Sequence, residues 1–575
     1  MKRFFFPTIA LACLGGVIAF LMTLSQGPEL LYLVPEDSAA VITWHNPGRA
    51  WQRFSATKLG RNMLTTGLHA LLGTLAGRDI RSFRSANGGT YIRQVIGRRL
   101  FHDMFAGQTV FAVVPGEKSG KDSGSPVPGR MLFLCKCNGR RLVKKIRKTF
   151  GRTRQDRPLP SLSYQGYSIF SFYVRDFGPL FMTSYRDILM VTSDTATMHR
   201  SLDLLLAGMV GRAETILKNR EFVRLRRQAG KQVDFFCYLN PADLGRAISS
   251  GQVDTKNLKN RPGQFLVHLG GRGLRRVTFF HQQGWKTQQL SLIVDFDNAL
   301  LPPLPRLLAA RSPVVDPSLK RVTAGLQLYL HSNWLDLPAW WGMIEKNGDI
   351  HARLRAERLD SAMQRYAGMD MERFLHLFGH KFTLLIKDFK PSSFFPVPRL
   401  CLQVALTDGK TVADLLAHFV AELPHKRETV AGIEVVSIAA GGGLMHPSYA
   451  LPGNDLLLAD GRDLVDDLLQ PGNLLLQDPE FTQVAFAVDQ PANLVFFARI
   501  SLIARNLRQL AEWLSAPAAL HEHQAGAGRR IFVDQVILPV LDGLTRLKTV
   551  FINARTTKGE LVIQAKVAAA PQPVK

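Results

Sequence analysis

The stretch RDILMVTSDTATMHRSLDLL, residues 186–205, decides the architecture of this 575-residue chain because its pattern returns further along. It reads as a strand that reaches Asp194 and continues as a helix with apolar residues one turn apart. The stretch NDLLLADGRDLVDDLL, residues 454–469, has the same order, with Asp460 before its helix. We interpret the two stretches as one strand–turn–helix unit in two copies, with both aspartates as helix N-caps.

Five further pairs of segments follow the same order along the chain. In one pair a glycine opens a strand in both copies, in YQGYSIFSF (164–172) and VAGIEVVSI (430–438). The other pairs are FAGQTVFAVV (105–114) with LFGHKFTLLI (377–386), LKNREFVRL (217–225) with LQDPEFTQV (476–484), VDFFCYLN (233–240) with LVFFARIS (494–501), and SAAVITWHNP (38–47) with TAGLQLYLHS (323–332). Together they predict a duplicated domain. The predicted equivalent residues are Gly166 and Gly432, Asp194 and Asp460, and Phe222 and Phe481.

The predicted fold class is α+β, with an N-terminal transmembrane helix followed by two tandem copies of a mainly antiparallel sheet with packed helices. Antiparallel pairing is favoured because several strands are joined by connections too short for a helix. The expected divisions are a signal anchor at residues 1–27, a strongly basic first repeat at 28–300, a proline-rich linker at 301–318, and a near-neutral second repeat at 319–575.

An apolar run opens the chain. Phe4 to Leu24 contains 21 residues without a charge, enough for a helix to span a hydrocarbon core of about 30 Å. Lys2 and Arg3 precede this run and acidic residues follow it, so the positive-inside rule places the N-terminus in the cytoplasm. We expect an uncleaved anchor in a bacterial inner membrane, with residues 4–24 in the bilayer and a periplasmic body. Secretion after signal cleavage before Gln26 is the alternative.

The opening segment LVPEDSAAVITWHNPGRAW, residues 33–51, carries a resemblance together with the apolar run and the two copies. In layout the chain resembles a group of uncharacterised bacterial envelope proteins that have one N-terminal span and a large repeated α+β exterior domain. The resemblance covers most of the chain. It implies no activity and transfers no functional residue.

Charge separates the two copies. Residues 1–300 contain 43 Lys and Arg against 19 Asp and Glu, whereas residues 301–575 contain 29 against 27. The densest cations lie in GRRLVKKIRKTFGRTR, residues 139–154, which predicts a basic amphipathic helix with its apolar stripe packed on the sheet. Its cations are Arg140, Arg141, Lys144, Lys145, Arg147, Lys148, Arg152 and Arg154. The counterpart GKTVADLLAHFVAEL, residues 409–423, keeps the stripe and lacks the basic face.

Three interpretations of this basic face stay open: a solvated surface, a site for an anionic lipid or envelope polymer, and a nucleic-acid site. Nucleic acid is disfavoured because the body is expected outside the cytoplasm and no stacking aromatics interleave with the cations. We expect a non-enzymatic envelope protein whose first copy binds an anionic envelope component or a protein partner. The alternative is an extracytoplasmic, hydrolase-like enzyme with its site between the repeats.

Sequence motifs for catalysis or cofactors are absent: the chain has no GxSxG, no phosphate-binding loop, no HExxH and no paired CxxC. We therefore predict no cofactor, no metal and no catalytic residue. His521-Glu522-His523 lacks a third ligand nearby and predicts a solvated loop. His45 and His331 stand at matching strand ends, where satisfaction of backbone groups is the favoured role.

Cys135 and Cys137 lie in the predicted strand MLFLCKC, residues 131–137, where side chains two positions apart share one face. They are interpreted either as metal ligands or as thiols in a core. The core interpretation is favoured because no further cysteine or histidine stands at zinc-binding spacing.

Overall fold

The computed structural model describes residues 29–58, 60–61, 103–115, 130–137, 141, 144, 161–174, 178–208, 214–230, 233–248, 273–284, 287–347, 349–391, 396–439, 446–486, 488–515 and 532–569. The chain divides into two compact units. One consists of Met1–Ala56 and Ala86–Gln282, and the other consists of Thr57–Ser85 and Gln283–Lys575.

The first unit contains nine described strands: β1 (Ala40–His45), β2 (Gln108–Val114), β3 (Arg130–Lys136), β4 (Ser161–Tyr164), β5 (Tyr167–Val174), β6 (Gly178–Tyr185), β7 (Ile188–Thr192), β8 (Val233–Leu239) and β9 (Leu274–Gln283). Its described helices are α1 (Pro47–Ser55), α2 (Thr195–Gly208), α3 (Arg220–Ala229) and α4 (Pro241–Ile248), with 3₁₀ turns at Leu30–Leu33 and Ile216–Lys218.

The second unit contains eleven described strands: β10 (Thr287–Phe296), β11 (Leu328–Ser332), β12 (Phe378–Pro391), β13 (Pro396–Leu406), β14 (His425–Val430), β15 (Ile433–Ile438), β16 (Ser448–Ala450), β17 (Asp455–Ala459), β18 (Leu494–Ala498), β19 (Leu547–Thr557) and β20 (Glu560–Ala569). Its described helices are α5 (Pro303–Ala310), α6 (Leu337–Asn347), α7 (Ile350–Ala367), α8 (Met371–His376), α9 (Gly409–Val420), α10 (Arg462–Leu469), α11 (Pro479–Val484), α12 (Ile500–Ser515) and α13 (Leu538–Leu544). A π-helical segment, Val533–Ile537, precedes α13.

The two units repeat one order of strand pairing. In the first unit the hydrogen-bonded order is β4–β5–β6–β7–β3–β2–β1–β8–β9, with antiparallel neighbours. In the second unit it is β14–β15–β16–β17–β13–β12–β11–β18–β19–β20–β10, again antiparallel. Each strand from β1 to β9 therefore has a counterpart at the same place in the second unit.

The boundary between the units lies earlier than the sequence suggests. The predicted first repeat extends to residue 300, but β10 is paired with β20 along Thr287 to Asp295 and belongs to the second unit. The predicted linker at 301–318 includes helix α5, because Pro303 occupies a first-turn position where its missing N–H costs nothing.

The turn glycines show how closely the copies agree. Gly166 joins β4 to β5 with φ +81°, and Gly432 joins β14 to β15 with φ +78°. The residue before each glycine, Gln165 or Ala431, also has positive φ. Two consecutive left-handed residues are typical of the type I′ turn that fits the twist of a hairpin.

The two predicted N-cap aspartates differ in role. Asp194 accepts a hydrogen bond from the backbone N–H of Thr197 at 2.8 Å and caps α2. Asp460 instead accepts the N–H of Leu400 on β13 at 3.1 Å, and Gly461 occupies the N-cap position of α10. The predicted capping role of Asp460 is therefore wrong, because its carboxylate is engaged by the adjacent strand.

Each unit has a core of aromatic residues in edge-to-face contact. In the first unit Phe222 of α3 contacts Phe236 at a ring-centroid distance of 5.5 Å. In the second unit Phe481 of α11 contacts Phe497 at 5.2 Å and Phe551 at 5.7 Å. Phe222 and Phe481 are both fully buried, and each follows a 3₁₀ turn, Ile216–Lys218 in the first unit and Leu475–Gln477 in the second. Burial of large rings of this kind contributes strongly to the stability of each unit.

The predicted transmembrane element requires correction. None of the described helices is long and apolar enough to cross a bilayer. The longest of them, α7, has 18 residues and includes four arginines. Residues 4–24, which carried the prediction, lie outside the described residues. For the described residues, this finding contradicts the predicted transmembrane helix, signal anchor and single-pass inner-membrane location. The fold class is corrected to antiparallel β-structure of 20 described strands with packed helices.

Candidate ligand site: an apolar cavity in the second unit

Three adjacent strands provide one wall of a cavity. Phe382 of β12 is paired with Val404 of β13, and Val404 is paired with Leu456 of β17. In the neighbouring row, Leu402 of β13 is paired with Leu458 of β17. Side chains two positions apart on a strand share a face, so these two rows form a continuous apolar surface.

Helix α9 covers this surface. Val412, Leu415, Leu416 and Phe419 recur at the spacing that places side chains on one helical face. Asp408 begins the helix by accepting the N–H of Thr411 at 3.0 Å. This bond satisfies one of the free amides of the first turn, so the start of the helix is defined beside the sheet.

Two aromatic residues and two leucines complete the enclosure. Phe374 of α8 and Phe378 at the start of β12 make an edge-to-face contact at 5.2 Å. Leu337 is the first residue of α6 and Leu335 precedes it by two positions, and both line the cavity.

The cavity is open on one side and has a volume of about 570 Å³. The thirteen lining side chains in the described part of the chain are apolar: Leu335, Leu337, Phe374, Phe378, Phe382, Leu402, Val404, Val412, Leu415, Leu416, Phe419, Leu456 and Leu458. Its volume falls in the range of about 300–1,000 Å³ that is typical of small-molecule sites. Val404, Val412 and Leu456 are buried, whereas Phe419 and Leu458 are 43% and 37% exposed. The cavity therefore has a buried floor and an open rim.

The chemistry of the lining permits binding but not proton transfer. Among the described residues, no residue that lines the cavity carries a titratable, nucleophilic or metal-ligating group. An apolar ligand would be held by removal of its surface from water, which is worth about 25 cal/mol per Å² of area. A charged group placed inside would lose its hydration without a partner.

Polar groups stand beside the cavity next to Leu335 and Leu337. Asp336 lies between these two residues, caps α6 through the N–H of Ala339 at 3.1 Å, and forms an ion pair with Arg311. His380 approaches the same carboxylate at 3.9 Å, with its Nδ1 2.9 Å from the Leu335 carbonyl oxygen. A ligand with a polar end could place that end near these groups.

A second cluster of the same unit contains the residue types of a hydrolase. The Ser318 hydroxyl donates to Asp316 at 2.7 Å and lies 2.7 Å from the hydroxyl of Tyr329, which also bonds to Asp316. His331 Nδ1 lies 2.9 Å from the Thr383 hydroxyl and 3.4 Å from Asp316. The Ser318 hydroxyl is thus engaged by Asp316 and not by the imidazole.

All five side chains of this buried polar cluster belong to residues no more than 6% exposed. Burial lowers the pKa of His331 from its ordinary value of 6.5 and raises the pKa of Tyr329. Because a substrate cannot reach groups buried in this way, the cluster links β11, β12 and the segment before β11 as a structural network. It also shows that His331 engages side chains, not the backbone groups expected from its strand-end position.

The predicted anionic-surface residues are described only in part. Arg141 and Lys144 are helical and exposed. Arg140, Lys145, Arg147, Lys148, Arg152 and Arg154 lie outside the described residues, as does His521-Glu522-His523. Within the described ranges, no group of three or more His, Cys, Asp or Glu side chains is arranged to hold a metal ion.

The sequence predicted the apolar stripe of α9 but not the cavity beneath it. The stripe was expected to pack on the sheet, and Val412 and Val420 do so. Phe419 stays exposed over the open rim. Residue type and spacing identify the two facing surfaces, whereas the volume between them depends on how far the helix stands from the strands.

Comparisons with known proteins do not assign the chain to a family. No protein-family model matches the chain, and no curated protein matches it. Among solved structures, crystal form III of TP0453 has a TM-score of 0.24 at 11% identity and covers 48% of this chain and 83% of that chain. Crystal form I of TP0453 has a TM-score of 0.23 at 11% identity, with coverage of 47% and 80%. Likeness at this level carries no conclusion about fold or function.

Proposed function

We propose that this protein is a non-enzymatic binding protein whose second unit holds an apolar, chain-shaped ligand, such as an acyl chain, in the cavity beneath α9. The observation that carries the proposal is a cavity of about 570 Å³ that is open at one rim and whose described lining side chains are all apolar. A packed core has few voids larger than a water molecule, so an apolar recess of this size that opens to solvent is a candidate ligand site.

An elongated ligand fits the architecture better than a compact polar one. The lining follows two rows that cross neighbouring strands and one helical stripe, so the contact surface is extended across β12, β13 and β17. Each methylene buried there contributes about 0.8 kcal/mol. Asp336, Arg311 and His380 supply polar partners beside Leu335 for the end of such a chain.

A series of straight-chain alcohols of increasing length tests this proposal by calorimetry. Affinity is expected to rise roughly fourfold with each added methylene until the cavity is filled, and then to level off. A series with no binding, or with affinity independent of chain length, would contradict it. Alcohols are suitable probes because their uncharged head group separates chain burial from electrostatic attraction.

For the first unit we propose contact with an anionic envelope component or an acidic protein partner. Support comes from the excess of cations over residues 1–300 and from the exposure of the helical residues Arg141 and Lys144. The counterpart helix α9 has no basic face, so the cations are an addition to the shared fold and not a requirement of it.

A further inference from the structure

Two thiols of the first unit lie side by side at the end of a strand. The Sγ atoms of Cys135 and Cys137 are 3.6 Å apart. Cys135 is the next-to-last residue of β3, and Cys137 follows the last residue, Lys136. Both side chains point to the same face because they are two positions apart.

The two thiols differ in accessibility. Cys135 is fully buried, against Met182 and Leu189, whereas Cys137 is half-buried and packs at the edge of the same cluster. The hydrogen bond between the thiols lowers the pKa of Cys137, and the same bond together with burial raises the pKa of Cys135. Cys137 is therefore the thiol that reaches solvent and ionises first, and the thiolate is the reactive form.

We propose that Cys135 and Cys137 form a reversible redox site, which closes to an intramolecular disulfide by exchange with a small disulfide such as oxidised glutathione. Cys137 loses its proton and attacks one sulfur of the oxidant, which forms a mixed disulfide and releases one thiol. Cys135 then loses its proton and attacks the Cys137 sulfur, which releases the second thiol. The two cysteines are oxidised by two electrons, and the small disulfide is reduced to two thiols.

The backbone can span such a bond, though near its limit. Residues two apart on a strand have Cα atoms about 6.6 Å apart, and disulfides span Cα separations of about 4.4–6.8 Å. Cys137 lies past the last residue of β3, where its amide bonds to the Asp187 carbonyl at 2.6 Å. A bond at the limit of this range is strained and therefore easily reduced, which suits a reversible site and not a permanent cross-link.

Lys136 makes the product simple to identify. Trypsin cuts after Lys136 and yields the peptides 131–136 and 137–140, each with one cysteine. We expect the full-length protein, treated with oxidised glutathione and digested without reduction, to give these two peptides joined by a disulfide. After this oxidation, a thiol count on the denatured protein should be lower by two than before treatment. A reductant should restore both thiols and separate the peptides.

Matched variants distinguish a two-thiol site from an accessible single thiol. In Cys135→Ser, Cys137 should retain glutathione as a stable adduct because the second thiol is gone. In Cys237→Ser, which removes another half-buried cysteine, the joined peptides should form as in the wild type. A stable glutathione adduct on Cys137 of the wild-type protein, or an unmodified Cys137, would overturn the proposal.

Discussion

Leu402 of β13 lies directly opposite Leu458 of β17, and both side chains line the cavity beneath α9. The pair joins a buried sheet to an open rim, since Leu458 is 37% exposed while the adjacent Val404 and Leu456 are buried. This relationship links the repeated fold to the proposed function. Both units share one strand order. In the second unit, three neighbouring strands of that order form a wall of the cavity.

The aromatic core of the second unit should dominate its stability. Phe481→Ala removes a fully buried ring that contacts Phe497 and Phe551, and we expect a loss of about 3–5 kcal/mol in the free energy of unfolding. Phe419→Ala, at the exposed rim, should cost much less. Chemical denaturation measures both, and equal losses would show that the rim is as well packed as the core.

The hairpin glycine should tolerate only residues that accept a left-handed backbone. Gly432 has φ +78° with no atom near the position of a Cβ. Gly432→Val should therefore destabilise the protein by about 1–2 kcal/mol through backbone strain alone, whereas Gly432→Asn should cost less. Gly543 is helical, without positive φ and without close neighbours, so Gly543→Ala is the matched control and should not destabilise. Equal costs for valine and asparagine at position 432 would contradict the turn assignment.

Stability should fall as the solution is acidified below the ordinary histidine pKa. The unfolded chain protonates His331 near 6.5, but the folded chain resists protonation because burial lowers its pKa. The unfolded state thus binds more protons as pH falls below 6.5, and the free energy of unfolding decreases until the folded-state pKa is reached.

His331→Gln should reduce this dependence on pH, whatever it costs in absolute stability. Denaturation series across the range around pH 6.5 measure the slope for both proteins. Parallel curves for the variant and the wild type would show that His331 does not contribute to the acid sensitivity.

The basic face should bind anionic surfaces in a salt-dependent way. Replacing Arg141 and Lys144 together by glutamine removes two exposed cations, each worth on the order of 1 kcal/mol near an anionic surface. In a co-sedimentation assay at low salt, we expect the affinity of the variant for phosphatidylglycerol vesicles to be about thirtyfold lower than that of the wild type. At high salt the difference should be smaller because of screening. Neutral vesicles serve as the control. Equal binding by both proteins would make this a solvated face.

Sequence patterns predict local elements of this chain better than their limits. Gly166 and Gly432 are the glycines that a tight hairpin turn favours, so the residue type alone predicts the positions of these two turns. The pairing of β10 with β20 joins residues more than 250 positions apart, and a local sequence pattern does not predict it. The structure divides the units after Gln282, whereas the sequence pattern places the end of the first repeat at residue 300.

At the candidate site, too, sequence spacing predicts the local elements but not the contacts between distant segments. Val412, Leu415, Leu416 and Phe419 are recognisable as one helical face from their spacing. Asp460, by contrast, has the residue type and position of an N-cap but bonds to Leu400 on another strand. Contacts that depend on distant partners, and the space left between packed elements, are properties of the assembled fold.

The central claim, that the cavity beneath α9 binds an apolar chain, is tested most directly by filling the cavity. Leu458 and Leu162 are both exposed leucines on strands, but Leu162 lies on β4 of the first unit and Leu458 lines the cavity. With a long straight-chain alcohol as the probe, Leu458→Trp should weaken binding at least about tenfold, equivalent to about 1.4 kcal/mol, while Leu162→Trp should bind as the wild type does. Unchanged affinity in Leu458→Trp, or an equal loss in Leu162→Trp, would contradict the account.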